Sequence, residues 1–263
     1  MKFYDRKNKR LIMVEQKADS EHWDKHWHLD DFVERVKAGK DSRRVRKFTK
    51  KFLPAGSKIL EGGCGIGQNV FGLEYWGYNA YGVDFAQKTV KKIKKNFPEL
   101  KVSVQDVRKL DFPNDFFDGY WSVGVIEHFW EGCNSILYEA KRVIKSGGYF
   151  FLTLPHLSSL RKLKAKLGFY KIFKSNSKVD DFYQFILNAK KVKADVEKCG
   201  FKLILKRPYN ATKGIKDEIS LLKLILQKIY DSQNTLAKGI KFLNSILFSK
   251  VAGHSILLVF QKK

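Results

Sequence analysis

A carboxylate followed by closely spaced glycines is the first group of residues that could do chemistry. Residues 59–70 read ILEGGCGIGQNV, which predicts the end of a buried strand, a tight turn and the start of a helix. Such turns hold nucleotides, because backbone N–H groups at a helix N-terminus face a polar ligand. The dinucleotide pattern G-x-G-x-x-G would need a glycine where this chain has Gln68. Glu61 could instead face a cationic amino group, directly or through water.

Two aspartates stand at the ends of the next two predicted strands. Asp84 ends NAYGVD and Asp106 ends LKVSVQD. A carboxylate at Asp84 can accept hydrogen bonds from both hydroxyls of a ribose. A lone aspartate before a helix is more often a helix cap. Within the ordered set of four motifs to which both aspartates belong, ligand binding is favoured.

The elements that must position these residues alternate along the chain. Helices are predicted at residues 43–52, 66–76, 87–97, 131–145 and 185–199. Strands are predicted at residues 58–60, 79–84, 100–106, 116–125, 149–155, 201–206 and 255–261. The alternation predicts an α/β protein with a doubly wound, seven-stranded, mainly parallel sheet. A ligand in such a sheet binds at the carboxyl ends of the strands.

Four motifs in this order resemble those of the class I S-adenosylmethionine-dependent methyltransferases, including the quinone-biosynthesis O-methyltransferases. They are EGGCGIG, YGVDFA, VQDV and FDGYWSVGVIEHF. The resemblance covers residues 43–156, and more weakly 185–206 and 254–261. It implies a Rossmann-like fold, S-adenosylmethionine as cofactor and methyl transfer as activity. The cofactor contacts it implies are Glu61, Gly62, Gly63, Gly65, Gly67, Asp84, Phe85, Asp106, Val107, Ser122, Val123 and Gly124, with Arg43 or Arg44 for the cofactor carboxylate.

Two histidines are candidates for a general base. A hydroxyl or acidic-carbon acceptor must lose a proton during methyl transfer, and histidine is the usual base. His128 follows the fourth motif, where the resembling family often has Glu-His. It could equally be a structural histidine that packs the loop. His156, after the fifth predicted strand of the core, is the second candidate.

The N-terminal segment invites a metal interpretation. His22 and His26 are one helical turn apart and His28 is close by, so their nitrogens could share a metal ion. The H-E-x-x-H pattern is absent. We therefore favour a cover helix whose Trp23 and Trp27 pack over the cofactor pocket, and we predict no metal site.

The chain carries a net charge of +24, from 51 lysines and arginines against 27 acids. Most of the excess lies after residue 156, where two segments do not fit the sheet pattern. We expect both to be helical insertions that form a cap. The predicted plan is a helical cover segment at 1–42, a cofactor-binding core at 43–156, a basic helical insertion at 157–184, more core at 185–208, a second helical insertion at 209–252 and a last strand at 253–263.

The two basic insertions indicate which kind of molecule or surface the protein binds. Apolar residues recur at helical spacing among lysines over residues 156–178, which is typical of a helix on an anionic membrane surface. The alternative is a cap that buries its apolar face and exposes its lysines. The predicted acceptor is a small-molecule, lipid-linked or glycan compound methylated on oxygen. An RNA methyltransferase and a non-catalytic binding protein of this fold are the alternatives. RNA is less favoured because the fourth motif lacks the Asn/Asp-Pro-Pro-aromatic signature of base amino methylation.

Composition predicts the location. No apolar run reaches the roughly 18 residues of a membrane-spanning helix. The three cysteines are odd in number and far apart, which favours a reduced compartment. We therefore predict a cytoplasmic protein, with peripheral membrane association as an option. The sequence leaves the oligomeric state open.

Overall fold

The computed structural model describes residues 1–15, 17–27, 30–174, 179–232 and 234–263. Its strands are, in chain order, β1 (Lys2–Asp5), β2 (Arg10–Val14), β3 (Lys58–Gly62), β4 (Asn79–Asp84), β5 (Lys101–Val104), β6 (Phe117–Val123), β7 (Ile144–Pro155), β8 (Lys171–Ile172), β9 (Phe182–Ile186), β10 (Phe201–Tyr209) and β11 (Ser255–Lys262). Its α-helices are α1 (Ser20–His26), α2 (Phe32–Lys37), α3 (Arg43–Phe52), α4 (Gln68–Tyr75), α5 (Gln87–Asn96), α6 (Asn134–Val143), α7 (Ser159–Lys166), α8 (Ala189–Lys198), α9 (Ala211–Glu218), α10 (Lys223–Asp231) and α11 (Thr235–Ala252). Short 3₁₀ helices span Ala38–Asp41, Ile126–His128 and Ser220–Leu222.

The larger sheet has the strand order β10-β11-β7-β6-β3-β4-β5. Strand β11 is antiparallel to both of its neighbours, and the other pairs are parallel. The predicted doubly wound, mainly parallel α/β fold is confirmed. Strands β3, β4, β5 and β6 therefore end at one edge, where ligands of such sheets bind.

Helices cover both faces of this sheet. Consecutive residues of a strand point to opposite faces, so Ile59 and Leu60 of β3 join different apolar clusters. Ile59 packs in the cluster that includes residues of α3, α4 and α5. Leu60 packs in the cluster that includes residues of α6 and α8. Burial on both faces explains why the central strands read as nearly continuous apolar runs.

A second, smaller sheet has the order β8-β1-β2-β9, and the sequence did not predict it. Strands β1 and β2 form a hairpin whose turn is held by the carboxylate of Asp5. That carboxylate accepts hydrogen bonds from the N–H of Asn8 and from Nε of Arg10, both at 3.0 Å. The cover segment is therefore a hairpin followed by helices α1 and α2, rather than helical throughout.

The two insertions differ from each other. The first, residues 157–184, contains helix α7 and then strands β8 and the start of β9, so it is not helical throughout. Gly168 follows α7 with φ of 78°, a left-handed conformation that suits glycine beyond a helix end. The second, residues 209–252, contains helices α9, α10 and α11 and is helical as predicted. No helix in the described ranges is both long and apolar enough to cross a membrane.

A buried group of charges, here called the Glu218 cluster, joins the cover segment to both insertions. Its centre is the ion pair between Arg161 Nε and Glu218 Oε1 at 3.0 Å, in which each side chain is only 1% exposed. Lys2 and Lys164 pair with the same carboxylate at 2.7 and 3.2 Å. The hydroxyl of Tyr170 donates to it at 2.6 Å. Three separate segments of the chain thus meet at one carboxylate.

The arginine of the Glu218 cluster also reaches the last strand. Arg161 Nη1 donates to the backbone carbonyls of His156 and His254 at 2.9 and 3.1 Å. Burial by itself would raise the pKa of Glu218, but attraction to Arg161 and Lys2 lowers it to about 2. The cluster is therefore ionised at neutral pH and holds the insertions against β7 and β11.

Candidate cofactor site

A cavity of about 290 Å³ opens at the carboxyl ends of β3, β4, β5 and β6. Its size is close to the lower end of small-molecule sites, which are about 300–1,000 Å³. The lining brings together these residues from the sequence prediction: Trp23, Trp27, Gly63, Gly65, Asp84, Phe85, Asp106, Val107, Val123, Gly124 and His128. It also contains residues that the sequence did not single out: Ala18, Gln105, Arg108, Val125, Phe129 and Glu131.

The glycine turn forms the floor of the cavity. Gly63 and Gly65 have φ of 72° and 52°, in the region that residues with a Cβ rarely adopt. A Cβ on Gly63 would lie 2.5 Å from the side chain of Val125. A Cβ on Gly65 would lie 2.9 Å from the ring of Trp27. Glycine at both positions therefore lets the cover helix and the loop after β6 close around the turn.

Asp84 combines a structural role with a free binding capacity. Its carboxylate accepts the N–H of Gly65 at 2.8 Å and the N–H of Ala86 at 2.9 Å, through different oxygens. Burial raises the pKa of Asp84, and these two hydrogen bonds oppose the rise. Each oxygen keeps another lone pair, which can accept a hydroxyl from a ligand in the cavity. The capping and the ligand interpretations are thus compatible.

Glu61 is outside the lining and only 2% exposed, in the last part of β3. Its Oε1 accepts a hydrogen bond from Asn69 at 2.6 Å, and its Oε2 has no hydrogen-bond partner among the described residues. Burial raises the pKa of Glu61 to about 8. An incompletely paired buried carboxylate is costly in free energy, so this side chain suits a cationic amino group.

Three other predicted cofactor contacts are also outside the lining of the cavity: Gly62, Gly67 and Ser122.

Arg108 contributes a guanidinium group to the lining of the cavity. Its Nη2 lies 2.6 Å from Asp106 Oδ2, and its Cζ lies 5.2 Å from the ring centre of Phe129. Burial by itself would raise the pKa of Asp106, but the hydrogen bonds from Arg108 lower it below its ordinary value. The sequence signal for Arg108 is only its position two residues after the strand-end aspartate.

Arg43 and Arg44 are not brought to this cavity. They line another one with Arg207 and Tyr209, next to the end of β10. The guanidinium of Arg44 lies 3.4 Å from the ring centre of Tyr209, a cation–π contact that holds it against β10.

His128 lies in the 3₁₀ helix that follows β6 and faces the cavity. Its Nδ1 is 2.8 Å from the carbonyl oxygen of Tyr183, so we assign the hydrogen to Nδ1, which leaves a lone pair on Nε2. Burial lowers the pKa of His128 to about 4, against the effect of that hydrogen bond. The imidazole is therefore neutral at neutral pH and can accept a proton. His156 instead lines a third cavity, with Lys162 and Lys190.

Helix α1 supplies the covering wall. Asp24 fixes it to the start of α5, because its carboxylate accepts the N–H of Thr89 at 2.9 Å and the hydroxyl of Thr89 at 3.0 Å. Trp23 and Trp27 stack with ring centres 6.2 Å apart.

Within the ranges that the structure describes, no cluster of three or more His, Cys, Asp or Glu could hold a metal ion. His28 is outside those ranges.

The chain is similar to known proteins both in sequence and in fold. Residues 60–152 match the family model of the methyltransferase domain. The chain is 34% identical over 101 residues to the 2-methyl-6-phytyl-1,4-hydroquinone methyltransferase of Synechocystis sp., covering 36% of this chain and 31% of that protein. It is 32% identical over 111 residues to the S-adenosyl-L-methionine-dependent Diels-Alderase iccD of Talaromyces variabilis, covering 38% and 37%. The alignments span 31–39% of the length of the curated relatives.

The fold comparison covers more of the chain. A SAM-dependent methyltransferase structure from Archaeoglobus fulgidus aligns with a TM-score of 0.54 at 17% identity, over 89% of this chain and 97% of that one. At this identity the likeness concerns the fold alone. It extends beyond the segment matched by sequence.

Proposed function

We propose that this protein is a class I S-adenosylmethionine-dependent methyltransferase, because residues 60–152 match the family model of the methyltransferase domain and the motifs indicate the same family. The observation that carries the proposal is the meeting of the glycine turn, Asp84, Asp106 and His128 around one cavity. The bound cofactor supplies a methyl group already activated by a sulfonium charge. The protein then has to bind the cofactor, align the acceptor and exclude water.

We assign the parts of that cofactor to residues that line the cavity and to Glu61, which precedes the glycine turn. Asp84 offers lone pairs to the ribose hydroxyls, and Phe85 and Asp106 beside it provide an apolar surface and an acceptor for the adenine. Glu61, with its unpartnered Oε2, offers a counter-charge to the amino group. Gly63 and Gly65 let Val125 and Trp27 pack against the turn that would hold the cofactor.

The acceptor side of the site is formed by His128 and the cover helix. A neutral imidazole can take the proton from a hydroxyl acceptor as the methyl group is transferred, which is worth about 10²–10⁴ in rate. Trp23 and Trp27 exclude water and help to align the reactants, and alignment can supply several kcal/mol. The proposed acceptor is a small or lipid-linked compound methylated on oxygen. The hydroquinone with a phytyl chain in one relative's name supports a small or lipid-like acceptor.

The charge of the cavity argues against RNA as the acceptor. The described lining contains the carboxylates of Asp84, Asp106 and Glu131, and one guanidinium, Arg108, which is paired with Asp106. A phosphate backbone that entered this mouth would meet negative charge. The strongly basic cavities lie elsewhere, around Arg43, Arg44 and Lys190.

A second candidate reaction is favoured by one comparison. The matched Talaromyces protein is named an S-adenosyl-L-methionine-dependent Diels-Alderase, a reaction other than methyl transfer. Both reactions need cofactor binding, but only methyl transfer releases S-adenosylhomocysteine. Measuring that product with candidate acceptors separates the two.

Cofactor binding by Asp84→Asn is the direct test of the site. We expect calorimetry to show micromolar binding of S-adenosylmethionine by the wild type and no binding of NAD. The variant should bind about 10–100-fold more weakly, because a hydrogen bond to a charged group is worth about 1.5–3 kcal/mol.

A matched control is Glu99→Gln, which changes an exposed carboxylate between α5 and β5, at the opposite edge of the sheet. It should bind as the wild type does. A well-folded wild type that does not bind S-adenosylmethionine would overturn the proposal.

Proton release on binding of S-adenosylmethionine tests whether Glu61 meets the amino group of the cofactor. The pKa of Glu61 is about 8, so the group is mostly protonated at pH 7 in the free protein. A nearby ammonium favours the carboxylate and should expel up to about one proton. Calorimetric titrations in buffers of different ionisation heat measure that number.

Glu61→Gln should abolish this release. Glu127→Gln is the matched control, because burial also raises the pKa of Glu127 to about 8 and Glu127 is outside the lining. Equal proton release by wild type and Glu61→Gln would show that Glu61 does not meet the amino group.

A further inference from the structure

Helix α11 presents its apolar face to solvent. The residues that pack inward are small or polar: Ala237, Ser249 and Ala252 are buried, and Asn244 hydrogen-bonds Thr212. The outward residues are large and apolar: Leu236 (75% exposed), Phe242 (66%), Leu243 (56%), Ile246 (61%) and Leu247 (66%). A surface helix of a water-soluble domain normally has the reverse arrangement.

The neighbouring helix extends this surface. Leu221, Leu224 and Ile225, in and just before α10, are 89%, 79% and 62% exposed, and α10 packs against α11. We call the eight side chains the α10–α11 face: Leu221, Leu224, Ile225, Leu236, Phe242, Leu243, Ile246 and Leu247. An exposed apolar area of this kind marks an interaction site.

The charges around the α10–α11 face have one sign. Residues 219–252 contain five lysines and a single acid, Asp231, which accepts hydrogen bonds from Gln227. Two cationic cavities flank the C-terminal half of α11. The first shares Phe242 and Ile246 with the face and has four cations: Arg43, Arg44, Lys47 and Arg207.

The second cationic cavity is lined by four lysines, one of which belongs to α11: Lys162, Lys190, Lys206 and Lys250. No carboxylate lines either cavity in the described part of the chain. The nearby charges of Lys190 and Lys206, after burial itself, lower the pKa of Lys162. An anionic partner would relieve this repulsion.

We propose that the α10–α11 face docks on an anionic phospholipid surface, with its apolar side chains in the acyl layer and the two cationic cavities on headgroup phosphates. A lipid surface offers apolar and anionic chemistry together. A second copy of the chain would cover the apolar side chains, but its own lysines would face these cations. The location differs from the sequence expectation, which placed the membrane contact at residues 156–178.

Vesicle co-sedimentation of the whole chain tests the proposal. The probes are vesicles of phosphatidylcholine alone and vesicles in which about a third of the lipid is phosphatidylglycerol. We expect binding to the anionic vesicles to be at least about tenfold tighter and to weaken with salt, because each lysine near the surface contributes about 1 kcal/mol.

A pair of serine substitutions tests the face itself. Phe242→Ser with Leu247→Ser changes two side chains that are each 66% exposed, so the fold should be kept. Vesicle binding should fall about tenfold or more, since two apolar side chains no longer leave water. The matched control is Tyr75→Ser with Tyr138→Ser, which are 67% and 62% exposed on α4 and α6. This control pair should bind as the wild type does.

Two results would overturn the proposal. One is equal binding to neutral and anionic vesicles, or binding that the Phe242 and Leu247 substitutions leave unchanged. The other is a dimer in sedimentation velocity that those substitutions dissociate, because the face would then be a protein interface. The vesicle assay contains no cofactor or acceptor, so its failure is distinct from failure of the proposed methyl transfer.

Discussion

Replacing Arg161 with alanine is expected to lower the free energy of unfolding by about 3–5 kcal/mol, as loss of one partner from a buried ion pair does. Arg161 and Glu218 are each 1% exposed, so water cannot replace the lost partner without opening the structure. Lys2 and Lys164 remain beside Glu218, which places the loss toward the lower end of that range. Denaturant unfolding followed by tryptophan fluorescence measures it.

A matched control is Lys193→Ala. It removes the cation of an exposed pair with Glu197, in which the side chains are 44% and 33% exposed, and should leave the denaturation midpoint close to that of the wild type. If Arg161→Ala unfolds at the same denaturant concentration as the wild type, the Glu218 cluster does not stabilise the fold.

The Glu218 cluster also sets a direction for pH dependence. The pKa of Glu218 is about 2 in the fold, against an ordinary value of 4.5. A carboxyl with a lowered pKa stabilises the fold fully above its ordinary value, and this stabilisation is lost as the pH falls from 4.5 toward 2. His254 acts in the same direction, because burial lowers its pKa to about 4.

Replacing His128 with asparagine is expected to lower kcat by about 10²–10⁴-fold, the usual contribution of a general base. The asparagine amide can still donate to the carbonyl of Tyr183, but it has no basic nitrogen. Affinity for S-adenosylmethionine should therefore change little. Release of S-adenosylhomocysteine in the presence of an acceptor gives the rate, and calorimetry gives the affinity.

The pH dependence of the methyl-transfer rate is a second test of His128 as the general base. A base with a pKa of about 4 is neutral and active above that pH, so the rate should fall as the pH drops through about 4. His156→Asn is the control, because His156 lines a different cavity, and it should keep kcat. If His128→Asn keeps kcat as well, the ring is structural, which is the other interpretation of its sequence position.

The larger sheet was predictable because each of its strands is a local signal. The runs YFFLTLP and SILLVFQ are apolar over a full strand length, and they form most of β7 and β11. The smaller sheet was not predictable in the same way. Its strand β9 reads FYQFI, part of which looked like the start of a helix at residue 185. Pairing with β2 overrides that local preference, and α8 begins only at Ala189.

The residues of the candidate site also divide into those that local sequence predicts and those that depend on distant contacts. Gly65 and Asp84 could be predicted because the turn and the strand end are encoded by adjacent residues. Tyr183 could not, because β9 reaches His128 only through the smaller sheet. Sequence spacing predicts helix α3 correctly, but it does not predict the direction of the Arg44 side chain. Contact with Tyr209 decides where the guanidinium lies.

The smaller sheet has a consequence for the order of folding. Leu11 of β2 pairs with Ile186 of β9, and Lys2 meets a carboxylate 216 residues away. Contacts at such separation carry a large loop-closure entropy and tend to form late. The sheet core from β3 to β7 can assemble from neighbouring segments before this happens. The wall that carries Trp23 and Trp27 then closes last, so folding intermediates expose the glycine turn and Asp84 to water.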